Sequence, residues 1–104
     1  MVRKAPSPEQ ANRPVNARQA SQSAFDYFYD LFALRLPFVS DPSLEEIEMS
    51  NDGRFWLVTL GYDAPRPKNE RIPEFLQVPM RKLKVFKVDA ATGRVLSMKI
   101  PQAE

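Results

Sequence analysis

The side chains that carry most enzyme chemistry are missing from this chain or lie scattered along it. Its 104 residues include no histidine and no cysteine. That removes thiolate nucleophiles, disulfides, zinc sites of the usual ligand sets and imidazole acid–base schemes. Carboxylates remain, and Asp41, Glu45, Glu46 and Glu48 form the densest group. Their spacing is not that of a calcium loop, and Glu46 and Glu48, two apart, would share the solvent face of a strand. Asp26 and Asp30, beside Tyr27 and Tyr29, read as the wet flank of a helix. Gly53, Gly61 and Gly93 are too far apart to build a phosphate-binding loop. No catalytic residue, cofactor ligand or metal ligand is assigned, and no enzymatic activity is expected.

Cations offer a second kind of chemistry. Arg81, Lys82, Lys84 and Lys87, with Lys99, surround one stretch of chain, and Arg3, Lys4, Arg13 and Arg18 populate the first twenty residues. A basic tail with Lys82 and Lys84 behind it would be a phosphate-contacting set, so a nucleic-acid-associated protein is one reading. The formal charge of +2 is small, however. Lysines on an edge strand also guard a sheet against aggregation, the blander account of the same residues. Trp56, which could stack on a base, alternates with Val58 and Leu60 and reads as core.

The elements that must position these groups can be read from periodicity. Residues 1–20 hold Pro6, Pro8 and Pro14 with few aliphatics, and four cations against Glu9. They read as a disordered basic tail, leaving residues 21–104 as one domain close to neutral. A helix is expected from Ser21 or Ser23, with Ser23 as its N-cap, to Leu36, where Pro37 stops it. Its apolar stripe is Ala24, Phe25, Phe28, Leu31, Phe32 and Leu36. Four strands follow, at 44–50, 54–62, 81–89 and 94–100. The turns between them are Asn51-Asp52-Gly53 and Ala91-Thr92-Gly93, and a proline-rich connection spans 63–80. The fold class is α+β, one N-terminal helix packed on a four-stranded antiparallel meander.

Turn lengths fix the faces. A two-residue Asp52-Gly53 loop sets Met49 opposite Trp56 and Ile47 opposite Val58, and is preferred because it leaves Glu46 and Glu48 facing water. A three-residue loop would slip the register and turn Phe55 and Leu57 inward. A three-residue loop at 91–93 sets Val88 opposite Leu96 and Phe86 opposite Met98. The helix would then cover Trp56, Val58, Leu60, Tyr62, Phe86, Val88, Leu96, Met98 and Ile100. The second face is left with Phe55, Leu57, Leu83, Val85 and Val95 among Thr59, Lys87, Ser97 and Lys99. One helix covers one face, so this apolar strip is the candidate partner-binding surface. It is open to the 63–80 connection (Ile72, Phe75, Leu76, Val78), to a second copy as a homodimer, or to a different protein.

The stretch Val85-Phe86-Lys87-Val88-Asp89-Ala90-Ala91-Thr92-Gly93-Arg94-Val95-Leu96 resembles the closing hairpin of the PepSY-type domains, small bacterial modules with a cystatin-like half-fold. The order of elements over residues 44–100 fits the same pattern. The resemblance implies a non-catalytic module that regulates or inhibits a peptidase, or docks on another protein. It transfers no functional residue, and Thr92 and Gly93 read as a turn. PepSY-type domains typically sit outside the cytoplasm behind a signal or membrane segment. Here the basic start lacks an apolar stretch and no run of about 18 apolar residues exists, so a cytoplasmic location is expected.

Overall fold

The computed structural model describes residues 13–33, 40–64, 70–76 and 80–102. Its helix α1 spans Ala17–Phe32. Four strands, β1 (Ser40–Met49), β2 (Phe55–Ala64), β3 (Met80–Asp89) and β4 (Val95–Lys99), form one antiparallel sheet in the order β1-β2-β3-β4. The α+β class and the meander are as the periodicity predicts.

The helix begins four residues before Ser21, so residues 17–20, expected in the tail, are helical. Asn16, not Ser23, is the N-cap. Its side chain accepts from the Gln19 N–H at 2.9 Å while the Gln19 side chain accepts from the Asn16 N–H at 2.8 Å, a reciprocal capping box. Ser23 is mid-helix and donates to the Gln19 carbonyl. Ala20, Ala24, Phe28 and Phe32 form the buried row, each four residues from the next and so on one face. Leu31, about 60° round the helix from Phe28, is exposed rather than buried. The expected end at Leu36 and Pro37 lies outside the described residues.

Just before the cap, Val15 fastens α1 to the sheet. Its N–H donates to the Ala90 carbonyl at 2.7 Å, and its carbonyl accepts from Trp56 Nε1–H at 2.9 Å. Its side chain packs against the core and lies beside Gly93, where an added Cβ would stand 3.2 Å from Val15 Cγ1. Under the helix, Val58, Leu60, Phe86 and Val88 are fully buried and Tyr62 nearly so. Phe28, Phe32 and Tyr62 stack with centroids 4.7–5.6 Å apart.

The first hairpin keeps the expected register, with Met49 opposite Trp56 and Ile47 opposite Val58. Its loop is longer than two residues, since Ser50 N–H closes on the Phe55 carbonyl. An even-numbered loop preserves the same faces. β1 extends back through Pro42, which an edge strand tolerates because its N–H is not needed.

The second hairpin departs from expectation. Asp89 accepts from the Ala91 and Thr92 N–H groups and pairs with Arg94, a four-residue loop closed by left-handed Gly93. The extra residue is absorbed further on. Phe86 faces Met98 as predicted, but Val88 faces Val95, and Leu96 is left over as a bulge. Leu96 is therefore 47% exposed and Ile100 66% exposed, while Val95 packs on the core. All three reverse or leave the faces assigned from sequence.

Two substitutions separate the core from the fastening. Phe28→Ala opens a cavity at the centre of the aromatic stack, and chemical denaturation is expected to show a loss of about 3–5 kcal/mol. Trp56→Phe keeps the ring but leaves the Val15 carbonyl without its donor, and the same measurement should show a loss of about 1 kcal/mol.

Candidate functional site

Residues opposite one another in an antiparallel pair share a face, so the register defines the side of the sheet that α1 leaves uncovered. Moving from the hairpin tips, the outer face carries Phe55, Leu57, Thr59, Gly61 and Asp63 on β2. Beside them on β3 stand Lys87, Val85, Leu83 and Arg81. β4 adds Ser97 and Lys99 beyond β3, and β1 adds Glu48, Glu46 and Ser43 beyond β2. Four of the five partner-binding candidates, Phe55, Leu57, Leu83 and Val85, are brought together here. Val95 is not; the Leu96 bulge turns it to the helix side.

The described part of the connection does not cover this face. Its 3-10 turn, Glu74–Leu76, leaves Phe75 85% and Leu76 60% exposed, and Ile72 is exposed as well. Val78 lies outside the described residues. Leu57 and Val85 floor an open hollow of about 270 Å³ walled by Lys87, Ser97, Lys99 and Ile100. Lys87 Nζ sits 4.0 Å above the Phe55 ring centroid, a cation–π contact that keeps the lysine stem flat against the strip. A second shallow hollow, about 310 Å³ between Pro14 and the hairpin tips, has Asp89 as its only carboxylate, and that group is engaged by its own loop.

The far end of the outer face is polar, and Arg81 organises it. Its guanidinium donates to Glu45 Oε1 at 2.9 Å, Asp63 Oδ1 at 3.1 Å, the Ser43 hydroxyl and the Asp41 carbonyl. Asp41 has a left-handed backbone (φ 54°), and the Arg81 contact to its carbonyl holds that turn. Gly61 makes the cluster fit: a Cβ there would stand 2.5 Å from Glu45 Oε1. The Ser43 hydroxyl and then the Arg81 guanidinium hold the Glu45 carboxyl below its usual pKa. Of the expected acidic cluster, only Glu45 has a structural task; Asp41, Glu46 and Glu48 have exposed side chains. Among the described residues no group of three acidic side chains is placed to hold a metal ion. The Arg81 group was not legible as a unit, because the bulge between Leu44 and Glu46 that swings Glu45 over Gly61 has no sequence signature.

The cations of the nucleic-acid reading do not converge. Lys82 and Lys84 pair with Tyr62 and Leu60 and so lie on the helix side, whereas Lys87 and Lys99 lie on the outer side. Arg13 and Arg18 are exposed at the start of α1, near Ala90. Six residues of strand, about 20 Å, separate Ala90 from Lys84. Arg3 and Lys4 lie outside the described residues. β3 is an inner strand, not the edge assumed for its lysines, although β4 reaches only Val85–Val88 and leaves Arg81, Lys82 and Lys84 beyond its pairing. Trp56 is committed to Val15 and the core.

Comparison of the chain with protein-family models, curated proteins and solved structures finds no match in any of the three.

The Arg81 cluster makes a pH prediction. A carboxylate whose folded pKa is depressed stabilises the fold above its unfolded value and loses that contribution as pH falls through the folded value. Glu45→Gln should therefore lower the denaturation midpoint at neutral pH, and the gap from the parent should close as pH drops below the ordinary glutamate range. Gly61→Ala should lower it by the same route, and combining it with Glu45→Gln should cost less than the two effects added.

Proposed function

We propose that the protein is a non-enzymatic interaction module that makes its protein contact through the outer face of the sheet. One observation carries this reading: Phe55, Leu57, Leu83 and Val85 form an apolar strip that neither α1 nor the described part of the 63–80 connection covers. A strip of this kind on a small domain marks a contact site. At the polar end of the same face, Glu45 and Asp63 are held by Arg81 and serve the architecture of the face. A role in controlling a peptidase, as in PepSY-type modules, is compatible with this surface and rests on the resemblance at residues 85–96. No helix among the described residues is long and apolar enough to cross a membrane.

The test reads whether the face is available. Solution mass and binding of an anionic apolar dye are followed together across a dilution series, for the parent and for Leu57→Asp and Val85→Asp, with circular dichroism confirming the fold. The expected result is either association or dye binding in the parent, abolished by each aspartate and retained in Leu96→Asp, which lies on the bulge. A parent that stays monomeric and binds no dye at any dilution has its strip covered by its own chain, and the reading is then wrong.

A further inference from the structure

The outer face is polarised across its strands, and the polarity is complementary to itself. Two neighbouring rows cross the sheet. One runs Glu46, Thr59, Val85, Lys99 from β1 to β4; the next runs Glu48, Leu57, Lys87, Ser97. In each row a carboxylate stands on the β1 flank and an ammonium on the β3–β4 flank, with a small or apolar centre between them. Among the described residues Glu46, Glu48 and Lys99 take part in no ion pair, and the contact of Lys87 is the Phe55 ring. Arg81, also on this face, is already neutralised by Glu45 and Asp63, and the Arg54 guanidinium lies 5.4 Å from the Phe55 ring centroid.

We infer that the occupant of this face is a second copy of the same chain, packed sheet on sheet about a two-fold axis parallel to the strands. The inference rests on the outer face being the contact surface. A two-fold along the strands exchanges the flanks, laying β1 of each copy over β4 of the other and β2 over β3. Glu46 then faces Lys99 of the second copy, Glu48 comes within reach of its Lys87, and both contacts occur twice because the interface is isologous. Near the middle Val85 faces Thr59 of the second copy and Leu57 faces the apolar stem of its Lys87, with Leu57 and Val85 of opposite copies one row apart. Facing sheets lie about 10 Å apart with their strands within about 30° of parallel, a gap that a glutamate and a lysine bridge from opposite sides. A two-fold across the strands would stack β1 on β1, setting Glu46 and Glu48 against their own copies. That arrangement is repulsive, and like charges brought together at an interface are strongly disfavoured. A different partner would have to present the same pattern, an apolar strip two strands wide with opposite charges on its two sides. This face already presents it.

Charge reversal tests the pairing. Glu46→Lys/Glu48→Lys makes both flanks basic, and Lys87→Glu/Lys99→Glu makes both acidic. Light scattering at low salt is expected to give the parent a mass of twice the 11.9 kDa chain and each reversed variant the mass of a single chain. Mixed in equal amounts, the two variants should recover the doubled mass as a heterodimer, because each contact is then again acid against base. That recovery also shows that both variants fold.

A parent that is monomeric at every concentration overturns the inference. So does a mixture that stays monomeric, or reversed variants that remain dimeric alone. If Val85→Asp abolishes the parent dimer while the reversed variants keep it, the contact face stands and only the pairing of flanks is wrong. If Val85→Asp leaves the dimer intact, the outer face itself is not the interface.

Discussion

The placement of α1, and with it which face of the sheet is covered, turns on the two hydrogen bonds made by the Val15 backbone. One ties the chain before α1 to Ala90 at the end of β3, and the other ties it to the Trp56 indole on β2. Together they bridge the two central strands at the end of the sheet where both hairpins turn. A helix of 16 residues is marginal alone in water. Fixed at its first turn by the Asn16–Gln19 box and by Val15, it has one course, down the face formed by Val58, Leu60, Tyr62, Phe86 and Val88. There Ala20 and Ala24 let the backbone approach closely, and Phe28 and Phe32 fill the space beyond. The fastening decides which face is covered, and so which is left.

The face that α1 leaves uncovered shows how a two-layer arrangement treats a surface that its one described helix does not bury. At one end its polar groups are consumed locally. Arg81 gathers two carboxylates, a hydroxyl and a carbonyl, and Gly61 removes the side chain that would keep Glu45 away. Such a group is exposed, screened by salt and of limited value to stability, but it leaves that end with a fixed shape. At the other end the lysines lie along apolar surface: Lys87 is flattened on Phe55, and Lys99 borders the hollow over Val85. The face is thus divided into a settled polar end and an apolar end whose charges remain available.

How much of this was legible depends on which physical signal each feature leaves. The sheet order, the Met49–Trp56 register and the outward set Phe55, Leu57, Leu83 and Val85 follow from strict alternation, a period-two signal that survives a misjudged loop length as long as the parity is right. Parity is what failed at Val95. The loop gained a residue because Asp89 caps it through two N–H groups, and the compensating bulge fell on Leu96. A bulge is a tertiary accommodation, and neither Val95 nor Leu96 advertises it. The start of α1 was readable in principle. Asn16-x-x-Gln19 is a capping-box pattern, but Pro14 and the polar residues before it made the segment resemble the tail it adjoins. The Arg81 cluster left no such trace, since Ser43, Glu45, Asp63 and Arg81 come together only through a bulge in β1 and the β2–β3 pairing.

The edges of the sheet favour the face, not the rim, for the contact proposed above. An exposed strand edge invites pairing unless something interrupts it. β1 is interrupted by Pro42, by left-handed Asp41 and by two register shifts, and glutamates stand at Glu46 and Glu48. β4 has five residues, carries its bulge at Leu96, and is followed by Pro101, which has no N–H to continue a ladder. Continuing either edge would need long, flat, hydrogen-bond-competent backbone, and neither offers it. The outer face is the opposite case: its backbone is already satisfied within the sheet, its centre is apolar, and its flanks carry opposite charge. The proposed contact there would add burial and ion pairs without asking any strand to change its partners.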